Sequence, residues 1–182
     1  MVKRYIQSYV SSKYVFALPG LALGVFVFAF LYTMSGNGTM RYIGIAIGLV
    51  LFAVMVVYYR EKFLVSRQLK KVKDLGDFEK AVMIGTAFFL EERMLGYKTG
   101  NVFDLKYEDI QTVTFEETNR GKLFLNLETT QGTLPVEMAL KDQAARVAQF
   151  LLKKNPSLTV NGIAPSGPGT LHSIDPYRNE KK

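Results

Sequence analysis

Three pairs of adjacent acids, Glu91-Glu92, Glu108-Asp109 and Glu116-Glu117, are the side chains best suited to hold a hard cation or to work as an acid and base couple. Each pair falls at a turn or strand end. Neighbours in a strand point to opposite faces, so adjacency works against a shared carboxylate site, and solvated surface positions are the plainer reading. The single histidine, His172, stands in a Gly/Pro-rich tail and has no Ser and acid set to complete a triad. The chain has no cysteine, which excludes a thiolate metal site, a redox pair and a cysteine nucleophile. Gly121-Lys122 is followed by Leu, and Glu116 stands where a phosphate-binding loop needs its first glycine. Neither GxSxG nor HExxH occurs. The expectation is a non-enzymatic protein without a catalytic residue, a cofactor or a metal.

The remaining chemistry is basic. Arg60, Lys62, Arg67, Lys70, Lys71 and Lys73 crowd one short stretch, and what precedes them explains why. No charged residue occurs from Tyr14 to Met40, and Tyr14 to Met34 is apolar enough and long enough to cross ~30 Å of hydrocarbon as a helix. After the polar turn Ser35-Gly36-Asn37-Gly38-Thr39 and the lone charge of Arg41, a second uncharged run extends from Tyr42 to Tyr59. At 1.5 Å per residue it reaches roughly 27 Å, sufficient for an upright span with aromatic and basic residues at the interface. A buried helical hairpin in a soluble protein would need polar stripes that neither run has. A cleaved signal peptide would need a shorter apolar region and a small-residue cleavage site, so the first span is expected to be retained.

The bases then orient the spans. Lys3, Arg4 and Lys13 precede the first, Arg41 alone lies in the loop, and the six bases follow the second, which puts both termini in the cytoplasm and the Ser35 to Arg41 turn outside. Residues 75–182 hold 13 bases and 14 acids, so the net charge of +7 belongs to the membrane flanks and implies no nucleic-acid partner. Two spans without an internal ionisable residue offer no ion pathway. Gly20 with Gly24, and Gly44 with Gly48, form small-residue pairs four apart that would let helix backbones approach, either within the hairpin or against a second copy.

Arg60 to Leu75 is expected to be a basic amphipathic helix with Val65, Leu69 and Val72 on one side. Its six bases either bind anionic headgroups or act only as the topogenic flank. Asp77 to Ile84 reads as a short helix or a strand. From Thr86 the period changes to two: Thr86–Leu90, Met94–Tyr97, Val102–Lys106, Gln111–Glu116, Lys122–Glu128 and Thr133–Glu137 alternate with turn clusters. One-sided strands such as Leu123, Leu125 and Leu127 predict an antiparallel meander. Leu140, Ala144, Val147 and Leu151 then predict a helix stopped by Asn155-Pro156, closing an open, strongly bent sheet. Residues 163–182, with Pro165, Gly167, Pro168, Gly169 and Pro176, read as a flexible tail.

Two spans, a basic linker, a meander centred on Val102-Phe103-Asp104-Leu105-Lys106-Tyr107-Glu108-Asp109-Ile110, then Leu123-Phe124-Leu125, Leu134-Pro135 and a terminal helix resemble the pleckstrin-homology-like domains of YcxB-like two-span membrane proteins of Gram-positive bacteria. The resemblance covers roughly Thr86 to Pro156. It implies a pleckstrin-like barrel capped by a helix, and it transfers no catalytic residue.

The expected fold is therefore an α+β membrane protein. It has a transmembrane hairpin over 1–59 (spans 14–34 and 42–59), a basic linker helix over 60–76, a cytoplasmic pleckstrin-like domain over 77–160 and a tail over 161–182. The expected function is a plasma-membrane scaffold that displays this domain to a protein partner or to a second copy, next to a bilayer with anionic headgroups. The alternative is an accessory subunit of a membrane transporter or envelope complex, contacted through its spans.

Overall fold

A computed structural model describes residues 2–175, and these divide into two compact units, Lys3–Arg67 and the chain from Gln68 onward, with Val2, the first residue of helix α1, grouped with the second. The first is helical. Helix α1 covers Val2–Ser12, α2 covers Ala17–Ser35 and α3 covers Gly38–Leu69. Helices α2 and α3 form a hairpin whose turn is set by Gly36. Its left-handed φ of 62° ends α2, and its N–H caps Tyr32 O. The Asn37 side chain then accepts a hydrogen bond from Thr39 N at 3.0 Å to start α3. Both helices are long and apolar enough to cross a membrane, and no residue of either apolar window is buried. Phe26, Phe30, Leu49 and Phe52 all lie more than half exposed, the reverse of what water would select.

Two features of this unit were not anticipated. The basic stretch is no separate helix: α3 runs unbroken through Arg60 to Leu69, and the chain then turns through 70–76. The first residues are also helical. Val2, Ile6 and Val10, one turn apart, give α1 a buried stripe, and its polar side chains tie it to the end of α3. Gln7 Nε2 donates to Ser66 Oγ at 3.0 Å, and Ser11 shares a 3.2 Å hydrogen bond with Tyr58. The rising numbers on α1 meet falling numbers on α3, so the two run antiparallel.

The second unit is built from two four-stranded sheets and one helix. A 3-10 turn at Asp77–Lys80 leads into β1 (Val82–Ile84), so the ambiguous 77–84 segment contains both a turn of helix and a strand. Strands β2 (Ala87–Phe89), β3 (Arg93–Lys98) and β4 (Asn101–Lys106) complete an antiparallel meander ordered β1-β2-β3-β4. The β3–β4 turn has two residues with positive φ, Thr99 at 40° and Gly100 at 81°, whose twist suits a tight hairpin. Strands β5 (Ile110–Glu117), β6 (Leu123–Thr129) and β7 (Gly132–Met138) form the second meander. A further strand, β8 (Thr159–Asn161), pairs parallel with β5 and gives the order β7-β6-β5-β8. The single bent sheet expected from the alternation is thus two sheets.

Helix α4 (Lys141–Lys154) buries Ala144, Val147, Phe150 and Leu151 among residues of both sheets. The Phe150 ring meets Tyr107 edge-on at 5.3 Å and Phe89 at 6.4 Å, so one side chain joins the helix to β2 and to the turn that follows β4. Leu140, expected in this stripe, is 64% exposed because the chain is still extended there and the helix begins one residue later.

The tail expectation is corrected as far as Asp175. After β8 the chain crosses α4: Ser166 N donates to Ala145 O at 3.2 Å, and Ile174 is fully buried in the core that Ile163 and Leu171 also join. Gly162 makes the crossing feasible. It has φ of 78°, and a methyl group there would lie 2.7 Å from Phe115 O. Composition signalled a loop, but three apolar side chains within it have a core to enter. The remainder of the expected tail, 176–182 with Pro176, lies outside the described residues.

The first sheet is buried on both faces. Phe89, Met94, Phe103 and Leu105 point into the main core, whereas Phe88, Leu95 and Tyr97 alternate to the other side and are buried there too. Within this unit, the chain around Leu69 and Phe78 belongs to that second side. Gln68 Oε1 accepts from Val102 N at 2.6 Å, and the Arg93 guanidinium lies 5.0 Å from the centre of the Phe78 ring.

Candidate functional site

The acid pairs go to separate structural tasks. Glu91 accepts from Lys154 Nζ at 2.8 Å, and Glu116 accepts from Asn126 Nδ2 at 2.8 Å. Asp109 caps Lys106 N at 3.2 Å while Glu108 is exposed beside it. No group of three metal-ligating side chains occurs among the described residues. His172 is exposed on a 3-10 turn at Leu171–Ser173.

Two buried polar groups of the domain also serve the fold. The Tyr107 hydroxyl donates to Leu90 O at 2.5 Å, with Arg93 O at 3.2 Å. Burial, reinforced by the nearby Glu91 charge, pushes its pKa up, so it remains a donor. Asn155 ends α4 and donates through Nδ2 to Ile110 O at 2.9 Å and Tyr107 O at 3.2 Å, while its Oδ1 accepts from Ser157. Each group holds a strand end or turn in place.

The glycine pairs separate. A methyl group on Gly24 would sit 3.4 Å from Ile47 Cγ2, one on Gly44 3.5 Å from Phe28 Cβ, and one on Gly48 3.9 Å from Val25 Cγ2. These three lie where α2 and α3 touch, and the contact is within the chain. Gly20 has open space where its side chain would be.

The basic residues separate as well. Lys62 turns back along α3, where its Nζ donates to Tyr58 OH at 3.3 Å and lies 5.5 Å from that ring's centre. Arg60 and Arg67 project outward from α3, and Lys70, Lys71 and Lys73 are exposed in the turns after it. Glu61, the sole acid among the first 73 residues, organises the junction between α1 and α2. Lys13 Nζ donates to its Oε1 at 2.9 Å and Tyr14 OH to its Oε2 at 2.8 Å, and its side chain is only 12% exposed. The Tyr14 ring meets Tyr58 edge-on at 5.2 Å, so aromatic and ionic contacts coincide at one level of the hairpin. This clasp was missed in the sequence reading, although a lone acid among bases at the end of an apolar run was a visible signal.

No family model matches the chain, and neither curated proteins nor solved structures match it.

Proposed function

We propose that the protein is a non-enzymatic, two-span plasma-membrane protein that displays a pleckstrin-like domain in the cytoplasm as a scaffold for a protein partner or for a second copy. The observation that carries the reading is the outward display of apolar side chains by the long uncharged stretches of two helices, in a chain whose other unit buries most of its large apolar residues. Hydrocarbon is the solvent that makes the first arrangement stable. Two levels of aromatic and basic side chains fit its boundaries: Tyr32, Arg41 and Tyr42 near the hairpin turn, and Lys13, Tyr14, Tyr58, Tyr59 and Arg60 at the other end. The excess of bases at that second level favours the cytoplasmic side for both termini.

The pleckstrin-like assignment is supported by strand order. A four-stranded meander, a second meander and a helix, α4, that packs Phe150 and Leu151 among residues of both sheets fit the helix-capped arrangement that the resemblance implies. A scaffold role is favoured over catalysis by the use of the polar groups. Glu91, Asp109, Glu116, Tyr107 and Asn155 are all spent on holding strands, turns and the helix end.

The test exchanges parts of the full-length protein. In cells, α2 and the apolar part of α3 are replaced by an unrelated two-span hairpin, and crosslinked neighbours are compared with those of the natural chain. Retention of the same neighbours is expected if the domain is the contact surface. Their loss would instead support an accessory subunit held through its spans.

A further inference from the structure

We propose that the face of α3 bearing Arg60, Phe63, Leu64 and Arg67 is a binding surface for anionic phospholipid headgroups of the cytoplasmic leaflet. The proposal rests on the spanning reading above and names which of the clustered bases touch lipid.

Four observations carry it. First, the face is continuous with the surface that would meet hydrocarbon. Leu49, Val56, Phe63 and Arg60 with Arg67 recur at helical spacing along one side of α3, with Leu49 66%, Val56 49% and Phe63 67% exposed. Tyr58, Glu61, Val65 and Leu69 occupy the other side, where the hydrogen bonds to Ser11, Lys13 and Tyr14 are made. The stripe therefore passes from purely apolar to alternating arginine and aromatic without leaving its side of the helix. That is the composition expected at the depth of headgroups, where long basic side chains lie along apolar neighbours and extend their charge to phosphate.

Second, the two arginines have no acidic partner among the described residues. Glu61 is the nearest acid in sequence, and it is occupied by Lys13 and Tyr14. The face keeps its positive charge for an external anion. Third, Phe63 and Leu64 between the arginines are exposed despite being apolar, which water disfavours and an interfacial layer does not. Fourth, Lys62 is turned away and engaged with Tyr58, so it does not share the face. Arginine also suits the ligand, since its planar fork matches two phosphate oxygens.

The probe is the full-length protein in phosphatidylcholine vesicles with and without phosphatidylglycerol. The readout is the ratio of spin-labelled phosphatidylglycerol to spin-labelled phosphatidylcholine immobilised at the protein surface. The natural chain is expected to favour phosphatidylglycerol about fivefold at low salt, with the ratio falling as salt rises. Arg60→Gln with Arg67→Gln should bring it close to equality. Lys70→Gln, Lys71→Gln and Lys73→Gln together should leave most of it. An equal ratio for the natural chain, or a preference that survives the arginine variant, overturns the site. Loss of the preference in the lysine variant overturns its assignment to this face. Alkaline carbonate extraction of the same vesicles separates the two levels of the claim. Release of the protein removes the spanning reading and the site together, whereas retention without lipid preference removes the site alone.

Discussion

Phenylalanine behaves in opposite ways in the two units. Phe26, Phe30 and Phe52 of the hairpin lie 55–70% exposed, whereas Phe78, Phe89 and Phe150 of the domain lie at 0–1%. Glycine differs in parallel. Gly24 and Gly44 let two helices approach at ordinary van der Waals distance, whereas Gly96 in β3 admits Leu134 from β7 so closely that any side chain there would overlap it. The same residue types thus serve an outward-facing unit and a close-packed one, and the spanning reading proposed above accounts for the difference by giving each unit its own solvent. On that reading the hairpin's apolar surface is its contact with hydrocarbon, whereas for the domain burying such surface is the main source of stability.

The largest way to break this contrast is to treat the tail as dispensable. Ending the chain after Asn161 removes Ile163, Leu171 and Ile174 from the core, and the loss of Ile174 alone should cost about 2 to 5 kcal/mol. The truncated full-hairpin protein should show a clearly lowered unfolding midpoint for the domain, or none. An unchanged midpoint would mean that the strap over α4 contributes nothing. Leu151→Ala should cost a similar ~2 to 5 kcal/mol, because Leu151 is 1% exposed in the same core.

Next in size is a charge placed on each unit's surface. Leu49→Arg, on the outward face of α3, should disfavour membrane insertion by about 3 kcal/mol and raise the carbonate-soluble fraction. Thr133→Arg, exposed on β7, should leave domain stability within about 0.5 kcal/mol. Equal tolerance at both positions would erase the distinction between the two solvents.

A smaller effect concerns Tyr107. Its pKa is raised in the folded domain, so the folded state holds the phenolic proton more tightly than the unfolded chain does. The associated stability is fully present below the unfolded value near 10 and is lost as pH rises above about 10. Tyr107→Phe should cost about 1 kcal/mol at neutral pH through the lost hydrogen bond to Leu90 O, and it should flatten that alkaline decline. An identical decline in the variant would assign the alkaline sensitivity to another group.

Local pattern made the middle of the domain legible. Six of the eight strands among the described residues, and α4, were visible because their apolar residues alternate or recur within a few positions, as in Leu123, Leu125 and Leu127. What escaped depends on partners distant in the chain. Strand β8 has three residues, too few to show a period, and exists as a strand through its parallel pairing with Thr112–Thr114. Ile163, Leu171 and Ile174 are too widely spaced among Gly and Pro to show an element, yet each reaches the core. Helix α1 carries a stripe in Val2, Ile6 and Val10, three apolar residues in a short segment whose bases Lys3 and Arg4 read equally well as a membrane flank. For the candidate site, the bases were evident by composition. Which of them face outward was not, because that depends on the pairing of Glu61 with Lys13 and Tyr14 across nearly fifty residues.

The proposed spanning hairpin and the proposed cytoplasmic side of its termini are most directly tested by cysteine accessibility, since the chain contains no cysteine to give background. Single cysteines are placed at Ser8 in α1, Asn37 in the hairpin turn and Arg120 in the β5–β6 turn, all exposed, and intact cells are treated with a membrane-impermeant thiol reagent. The account predicts labelling at Asn37 alone, with Ser8 and Arg120 labelled only after permeabilisation. Labelling of Ser8 or Arg120 in intact cells, or protection of Asn37, would contradict it.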